Sequence, residues 1–427
     1  MSSFARLVLV VLSAALATRP VLHAQSAPGP AEHWITTWHT AVVPREPVPQ
    51  GQAPAAQAPF TVSNQTLRQI VRVSAGGNRV RVIFSNAFGT APLAIGAATV
   101  ALRQAGPAVL RPSVTPLTFD GRASATIPPG AVLVSDAAAL VLPTASDLVI
   151  DAYLPGDTAA GTSPLTMHGL ARSTNYLSEA GNHAGAASLP VARTTESWYF
   201  ITGVEVVGPA SAFSIAALGD SITDGNGSTV DGNVRWPDVL AARLAARSSL
   251  AKIGIVNAGI AGNRVLSGVT PNALARFDRD VVAPSGVTHV LFMEGINDIR
   301  VTPQNPNSIP LADLIAGHRQ IIARAHAKGV RIYGATLTPY EGTTGWTKET
   351  DDTRQALNAW IRTGKDYDGM VDFDAVVRDP VQPARLQAQY DSGDHLHPND
   401  AAYKAMADAV DLTLFMPAPR RLPSGTK

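Results

Sequence analysis

Cysteine is missing from all 427 residues, which excludes disulfides, thiolate metal sites and a cysteine nucleophile. A surplus of either charge is missing too: 34 basic side chains face 33 acidic ones, a net charge of +1. That balance offers no bulk-charge surface to a polyanion, so nucleic acid is not an expected partner. Charged residues make up only 16% against 45% hydrophobic, too apolar for disorder and suited to a soluble globular protein. Past the amino-terminal run, no apolar stretch reaches the roughly 20 residues a bilayer span needs, so no stable membrane span is expected. Two catalytic patterns are also absent, the G-x-S-x-G nucleophile elbow and the H-E-x-x-H zinc signature.

The chain opens with Arg6 and the apolar run Leu7 to Ala17, then small residues and Ala24 before Gln25. This pattern predicts a signal peptide over 1–24, with the cut placed to within a few residues, and hence a secreted or periplasmic protein. The run is too short for an anchor, and Arg19-Pro20 interrupts any extension of it. Export is compatible with zero cysteine, because a chain of this length buries cores large enough without disulfides.

The length predicts two domains. From Ala41 to Phe60 proline, alanine and glutamine crowd together, predicting a surface loop. Leu67 to Val73 and Val80 to Phe84 are β-branched runs separated by Ala75-Gly76-Gly77-Asn78, which predicts a hairpin. Further strands are expected at 98–102, 131–134, 147–154 and 198–207, so residues 33–208 read as an all-β sandwich or jelly roll. After Gly208-Pro209 apolar runs at 214–218, 254–257, 289–293, 330–335 and 370–373 alternate with helical spacing at 236–246, 311–327, 352–363 and 400–414. Residues 212–416 therefore read as an α/β domain, a parallel sheet with helices on both faces, and 417–427 as a tail. In such a sheet ligands bind beyond the carboxyl ends of the strands.

Candidate chemistry falls at those ends. Ser221 comes directly after an apolar strand, where it is either a nucleophile or a helix cap. Asp394-His395-Leu396-His397 places an acid and two candidate bases on one loop, completing the membership of a Ser-His-Asp triad. Gly262 and Gly295 could each simply permit a turn, and Asn297 could cap a helix. Asp220 and Asp298 read as turn or supporting residues, and His318 and His326 as packing or surface residues. Trp236, Trp346 and Trp360 read as core or rim aromatics, with Trp346 a candidate for the cleft wall. Asp391, Asp394, His395 and His397 could compete as metal ligands, but no strong ligand spacing supports a metal.

Gly219-Asp220-Ser221-Ile222 resembles the first block of the GDSL or SGNH hydrolases, and three further blocks occur in that family's order. Gly259-Ile260-Ala261-Gly262-Asn263 is similar to the second, Gly295-Ile296-Asn297-Asp298 to the third, and Asp394-His395-Leu396-His397 to the closing D-x-x-H. The resemblance, over about 212–414, implies a three-layer α/β/α, flavodoxin-like fold and a serine esterase without cofactor or metal. It implies Ser221 as nucleophile, His397 as base, Asp394 as its partner, and an oxyanion hole from Ser221, Gly262 and Asn297. The expected substrate is a small-molecule or carbohydrate ester with a short acyl group, acetyl above all, because no long apolar lid accompanies the motifs. Two other readings stay open: a lipase or acyltransferase using the same residues, and a carbohydrate-binding protein with an inactive hydrolase scaffold. Oligomeric state has no signature in the sequence.

Overall fold

Short runs that alternate inward and outward build the amino-terminal half of the computed structural model, which describes residues 32–46, 59–158, 163–268, 271–303 and 305–416. The expected signal peptide, the tail from 417 and residues 47–58 of the Pro-rich stretch lie outside the described residues. In Asp147–Leu154 the side chains of Leu148, Ile150, Ala152 and Leu154 enter one core while Val149 faces the opposite side. Two antiparallel sheets share that core. One runs Trp34–His39, Ile201–Val207, Gly77–Ser85, Val132–Val134; the other Val191–Thr195, Asn175–Ala180, Gln65–Arg72, Asp147–Leu154, Ala97–Ala105.

The expected hairpin does not form. Gln65–Arg72 and Gly77–Ser85 are strands as predicted, but they belong to different sheets. The link between them is bonded elsewhere, Val73 N–H to Ser146 O at 3.0 Å and Ser74 N–H to Thr37 O at 2.9 Å. At Gly76 a Cβ would sit 2.4 Å from the Leu142 carbonyl oxygen, so glycine lets the chain cross from one sheet to the other. The expected strand at 198–207 is likewise broken: Phe200 adopts φ 58°, and Trp198–Tyr199 turns away to pair with Leu165–His168. Leu165–His168 also pairs with Val43–Arg45. This small third sheet brings His168 to the edge of the other half.

The carboxyl-terminal half is a five-stranded parallel sheet: β1 (Phe213–Gly219), β2 (Ile253–Gly259), β3 (Val287–Met293), β4 (Arg331–Ala335) and β5 (Gly369–Val371). Its order is β2-β1-β3-β4-β5, the flavodoxin-like arrangement. The chain moves one way from β1 to β2 and the other way from β3 to β5. Right-handed crossovers then place α1 (Trp236–Ala245) on one face and α2 (Leu311–Ala327) with α3 (Lys348–Thr363) on the other. A fourth helix, α4 (Asp400–Ala409), packs beside α1. It stops short of the expected 414 because the Asp411 side chain accepts the Thr413 N–H at 2.9 Å and starts a separate turn, Leu412–Phe415.

The first strand of the sandwich and Ser74, in the link after Gln65–Arg72, pack against β2 and the start of β1. Thr36 N–H donates to Ser285 O at 2.9 Å, Ser214 Oγ to Thr36 O at 2.9 Å, and Ile255 N–H to Ser74 Oγ at 2.8 Å. Gly254 makes this approach possible, since a Cβ there would lie 2.0 Å from the Thr36 oxygen. The two halves keep separate hydrophobic cores on either side of this seam.

Candidate active site

Ser221 opens a single helical turn, Ser221–Asp224, directly beyond β1. Asp220 caps that turn by accepting the Ile222 N–H at 2.9 Å, and Gly225 ends it at φ 105°. Gly219 lets the turn pack tightly, for a Cβ would lie 2.4 Å from Met293 O on β3. The nucleophile candidate is thus held on a rigid, buried support.

On the far loop, the two histidines part company. Asp391 accepts the Gly393 and His395 N–H groups at 2.8 and 3.0 Å and draws His395 Nδ1 to 2.6 Å, leaving that ring 56% exposed. His395 itself takes φ 63°, a left-handed kink that turns the next residues inward. His397 Nε2 then lies 2.9 Å from Ser221 Oγ, and His397 Nδ1 lies 2.5 Å from Asp394 Oδ2. The other Asp394 oxygen accepts the backbone N–H groups of Leu396 and His397 at 3.0 and 2.8 Å. Partial burial pushes the Asp394 carboxyl up, but the hydrogen bonds from the His397 ring and backbone outweigh it and hold the acid well below the usual range. Ser221, His397 and Asp394 are therefore joined in one hydrogen-bonded row. Among the described residues no group of three or more His, Asp or Glu side chains is arranged to hold a metal ion.

Gly262 and Asn297 lie beyond β2 and β3, the two neighbours of β1 in the sheet. Gly262 has φ 74°, and an added Cβ would meet nothing within 4 Å, so the backbone conformation favours glycine while the space beside it is open. Asn297 donates one amide N–H to Asn263 O at 3.0 Å, and its Oδ1 accepts from Arg300 at 3.4 Å. Its amide is oriented, with a second N–H to spare. Asp298 faces inward and accepts the Val265 and Leu266 N–H groups at 2.8 and 3.1 Å, fixing the loop after Gly262; burial pushes its carboxyl up to about 6.

Sequence reasoning missed three residues here. Arg276, fully buried, donates to Gly219 O at 2.9 Å, Ala258 O at 2.6 Å and Asn263 Oδ1 at 2.9 Å, tying the ends of β1 and β2 to the Gly262 loop. Asn226 brings its Nδ2 to 3.1 Å from His397 Nε2, and its carbonyl accepts the Tyr403 hydroxyl at 2.5 Å. Arg300 spans from Asn297 to Thr344 O at 2.8 Å. Only Asn226, next to the first block, left a trace in the sequence; the arginines are brought in by the fold. His318 is buried against Phe292 and Trp360, whereas His326 is on the surface beside Asp368. Trp236 is core, its ring tilted against Phe373, and Trp346 is partly buried against the same core.

A cleft of about 300 Å³ opens beside Asn226 and Ala261, with Val43, Leu170 and Ile260 on its walls. Val43 and Leu170 come from the sandwich half, so both halves contribute to it.

Residues 217–405 match the GDSL-like Lipase/Acylhydrolase family. Among curated proteins no match was found. Solved structures similar to this chain include a variant of an acetyl xylan esterase from Geobacillus stearothermophilus, 24% identical over 47% of this chain and 94% of that one, TM-score 0.36. They also include a GDSL-like lipase from Bacteroides thetaiotaomicron, 20% identical over 46% and 84%, TM-score 0.34, and a psychrotrophic esterase from a Pseudoalteromonas species, 19% identical over 46% and 93%, TM-score 0.34. The α/β half of this chain, with three of its four ordered motifs at the ends of β1, β2 and β3 and the fourth on the loop before α4, is a domain of the GDSL-like lipase/acylhydrolase family, a hydrolase acting on ester bonds.

Proposed function

We propose that this protein is an exported serine esterase that removes short acyl groups, acetyl above all, from small or carbohydrate alcohols. The row Ser221–His397–Asp394, at 2.9 and 2.5 Å, carries the reading. Ser221 Oγ attacks the ester carbonyl carbon as His397 Nε2 takes the hydroxyl proton, and Asp394 stabilises the imidazolium that results. The carbonyl oxygen becomes an oxyanion, for which the N–H groups of Ser221 and Gly262 and the free amide N–H of Asn297 are the donors. Collapse breaks the C–O bond to the alcohol, which leaves with the proton from His397. Water then attacks the acyl-serine, giving its proton to His397, and the acid departs as Ser221 regains its hydrogen.

The preference for short acyl groups rests on the sequence, in which no long apolar lid segment accompanies the motifs. Export is supported by the Arg6 and Leu7 to Ala17 pattern. Hydrolysis of nitrophenyl esters of increasing chain length by the wild type and by Ser221→Ala tests the activity: acetate is expected to be cleaved fastest, and only by the wild type. Retained activity in Ser221→Ala would remove the assignment.

A further inference from the structure

Beside the Gly262 loop, a histidine from the sandwich half reaches into the catalytic half. His168 ends the short strand Leu165–His168 and is only 3% exposed. Its Nδ1 lies 2.8 Å from the Ala41 carbonyl oxygen and its Nε2 2.8 Å from Asp224 Oδ1. A carbonyl and a carboxylate only accept, so this geometry is satisfied by an imidazolium with a proton on each nitrogen. The second oxygen of Asp224 accepts the Ala261 N–H at 3.0 Å. Asp224 closes the turn that Ser221 opens, and Ala261 immediately precedes Gly262.

We infer that His168 is a positioning residue for ester hydrolysis, holding the Ala261–Gly262 peptide in register with Ser221 through the Asp224 carboxylate. The inference rests on the proposed roles of Ser221 as nucleophile and Gly262 as oxyanion donor. It gives the sandwich half a part in catalysis through a side chain that also lines the cleft.

Three observations favour it. Gly262 has no side chain to anchor it, so its position depends on backbone ties such as the one from Ala261 to Asp224. Asp224 is itself buried, at 2% exposure, and a carboxylate in that setting needs a cation; His168 is its only ion-pair partner among the described residues. The charged groups around the ring are Asp224, Arg235, which is paired with Asp238 at 2.7 Å, and His39. Burial works against a proton on His168, yet the charge and hydrogen bond of Asp224 outweigh it and raise its proton affinity, whereas His39, buried with an unpartnered Nε2, is pushed down to about 4.

The test uses the full chain as wild type, His168→Gln, Asp224→Asn and the double variant, with active sites titrated by a fluorophosphonate and turnover measured on nitrophenyl acetate. Either single change leaves one donor or acceptor of the row unmatched. Each single variant is expected to lose about tenfold or more in kcat per titrated site, with KM within about twofold, as displacement of a transition-state donor requires. The double variant is expected to be no worse than the poorer single one, because both changes cut the same tie. A kcat per site within twofold of wild type in His168→Gln, or additive losses in the double variant, would overturn the inference. If His168→Gln does not melt cooperatively, Asp224→Asn decides by the same kcat criterion; if neither folds, His168 is merely structural and the inference fails. A wild type that neither labels at Ser221 nor hydrolyses the ester overturns the nucleophile assignment itself, a result distinct from the loss of the His168 tie.

Discussion

Burial, and next the charge of Asp220, raises the proton affinity of Glu294; both carboxyls are buried, at 1% and 0% exposure. Burial pushes Asp220 from an ordinary 3.8 up to about 6, and Glu294 well above its usual range. A carboxyl whose affinity for its proton is higher in the folded state stabilises the fold fully below the unfolded value and loses that contribution as pH climbs through the folded one. The contribution of these two carboxyls should therefore fall as pH rises from 4 to 7, while the buried His39, His289 and His318, each pushed down to about 4, contribute in the opposite direction. Asp220→Asn keeps the cap to Ile222 and has no such proton to lose. Its stability relative to the wild type should therefore rise across that window, by roughly 3 kcal/mol at most, as read by denaturant unfolding of both proteins at each pH.

Asp394→Asn should preserve the loop but lower kcat on the order of 10³–10⁴-fold, because an amide at that place no longer stabilises the His397 imidazolium. KM for nitrophenyl acetate should move little. Steady-state kinetics on the two proteins measures the split.

Replacing His395 should leave the reaction nearly intact. Its ring faces Asp391 and solvent and makes no contact with Ser221. His395→Gln is expected to keep kcat within a few-fold of wild type, while His397→Gln loses on the order of 10⁴-fold. Equal losses in the two variants would contradict the geometry.

Asn297→Ala should cost about 10²–10³ in kcat, the usual loss for one oxyanion donor. Gly262→Ala should cost less, since space for the methyl group exists and only the left-handed backbone, about 1 kcal/mol, opposes it. Ranking the two variants by kcat at saturating ester checks the order.

Arg276→Met should destabilise the fold by a few kcal/mol, about 1–3 for each of the buried Gly219 and Ala258 carbonyls it leaves without a donor, while Asp280 keeps its pair with Arg279. Thermal melting of the variant reads this directly.

The strands of the parallel sheet were legible because each is a continuous apolar run buried on both faces, a pattern that needs no partner to be recognised. The sandwich was legible as strands but not as pairings: nothing local to Ala75-Gly76-Gly77-Asn78 says that its flanks join different sheets, because Ser146 and Thr37, which claim the linking N–H groups, are remote in sequence. The same holds for the break at Phe200, where a positive φ in an aromatic residue is dictated by the two sheets it joins. At the site, the motif spacing pointed to Ser221, Asp394 and His397, and the structure brings these three side chains together while His395 turns to Asp391. His168, Arg276 and Arg300 were not legible, since each acts across the fold on a residue that the motifs name.

The cover that Trp34–His39 and Ser74 lay over β2 also bears on how the chain behaves when cut. A fragment starting near residue 209 would carry the whole parallel sheet and every motif residue, yet would bare the N–H of Ile255 and the glycine at 254 along an unpaired strand. Such an edge recruits strands from neighbouring molecules. The catalytic half expressed alone is thus expected to self-associate, and the sandwich serves as a built-in guard against aggregation.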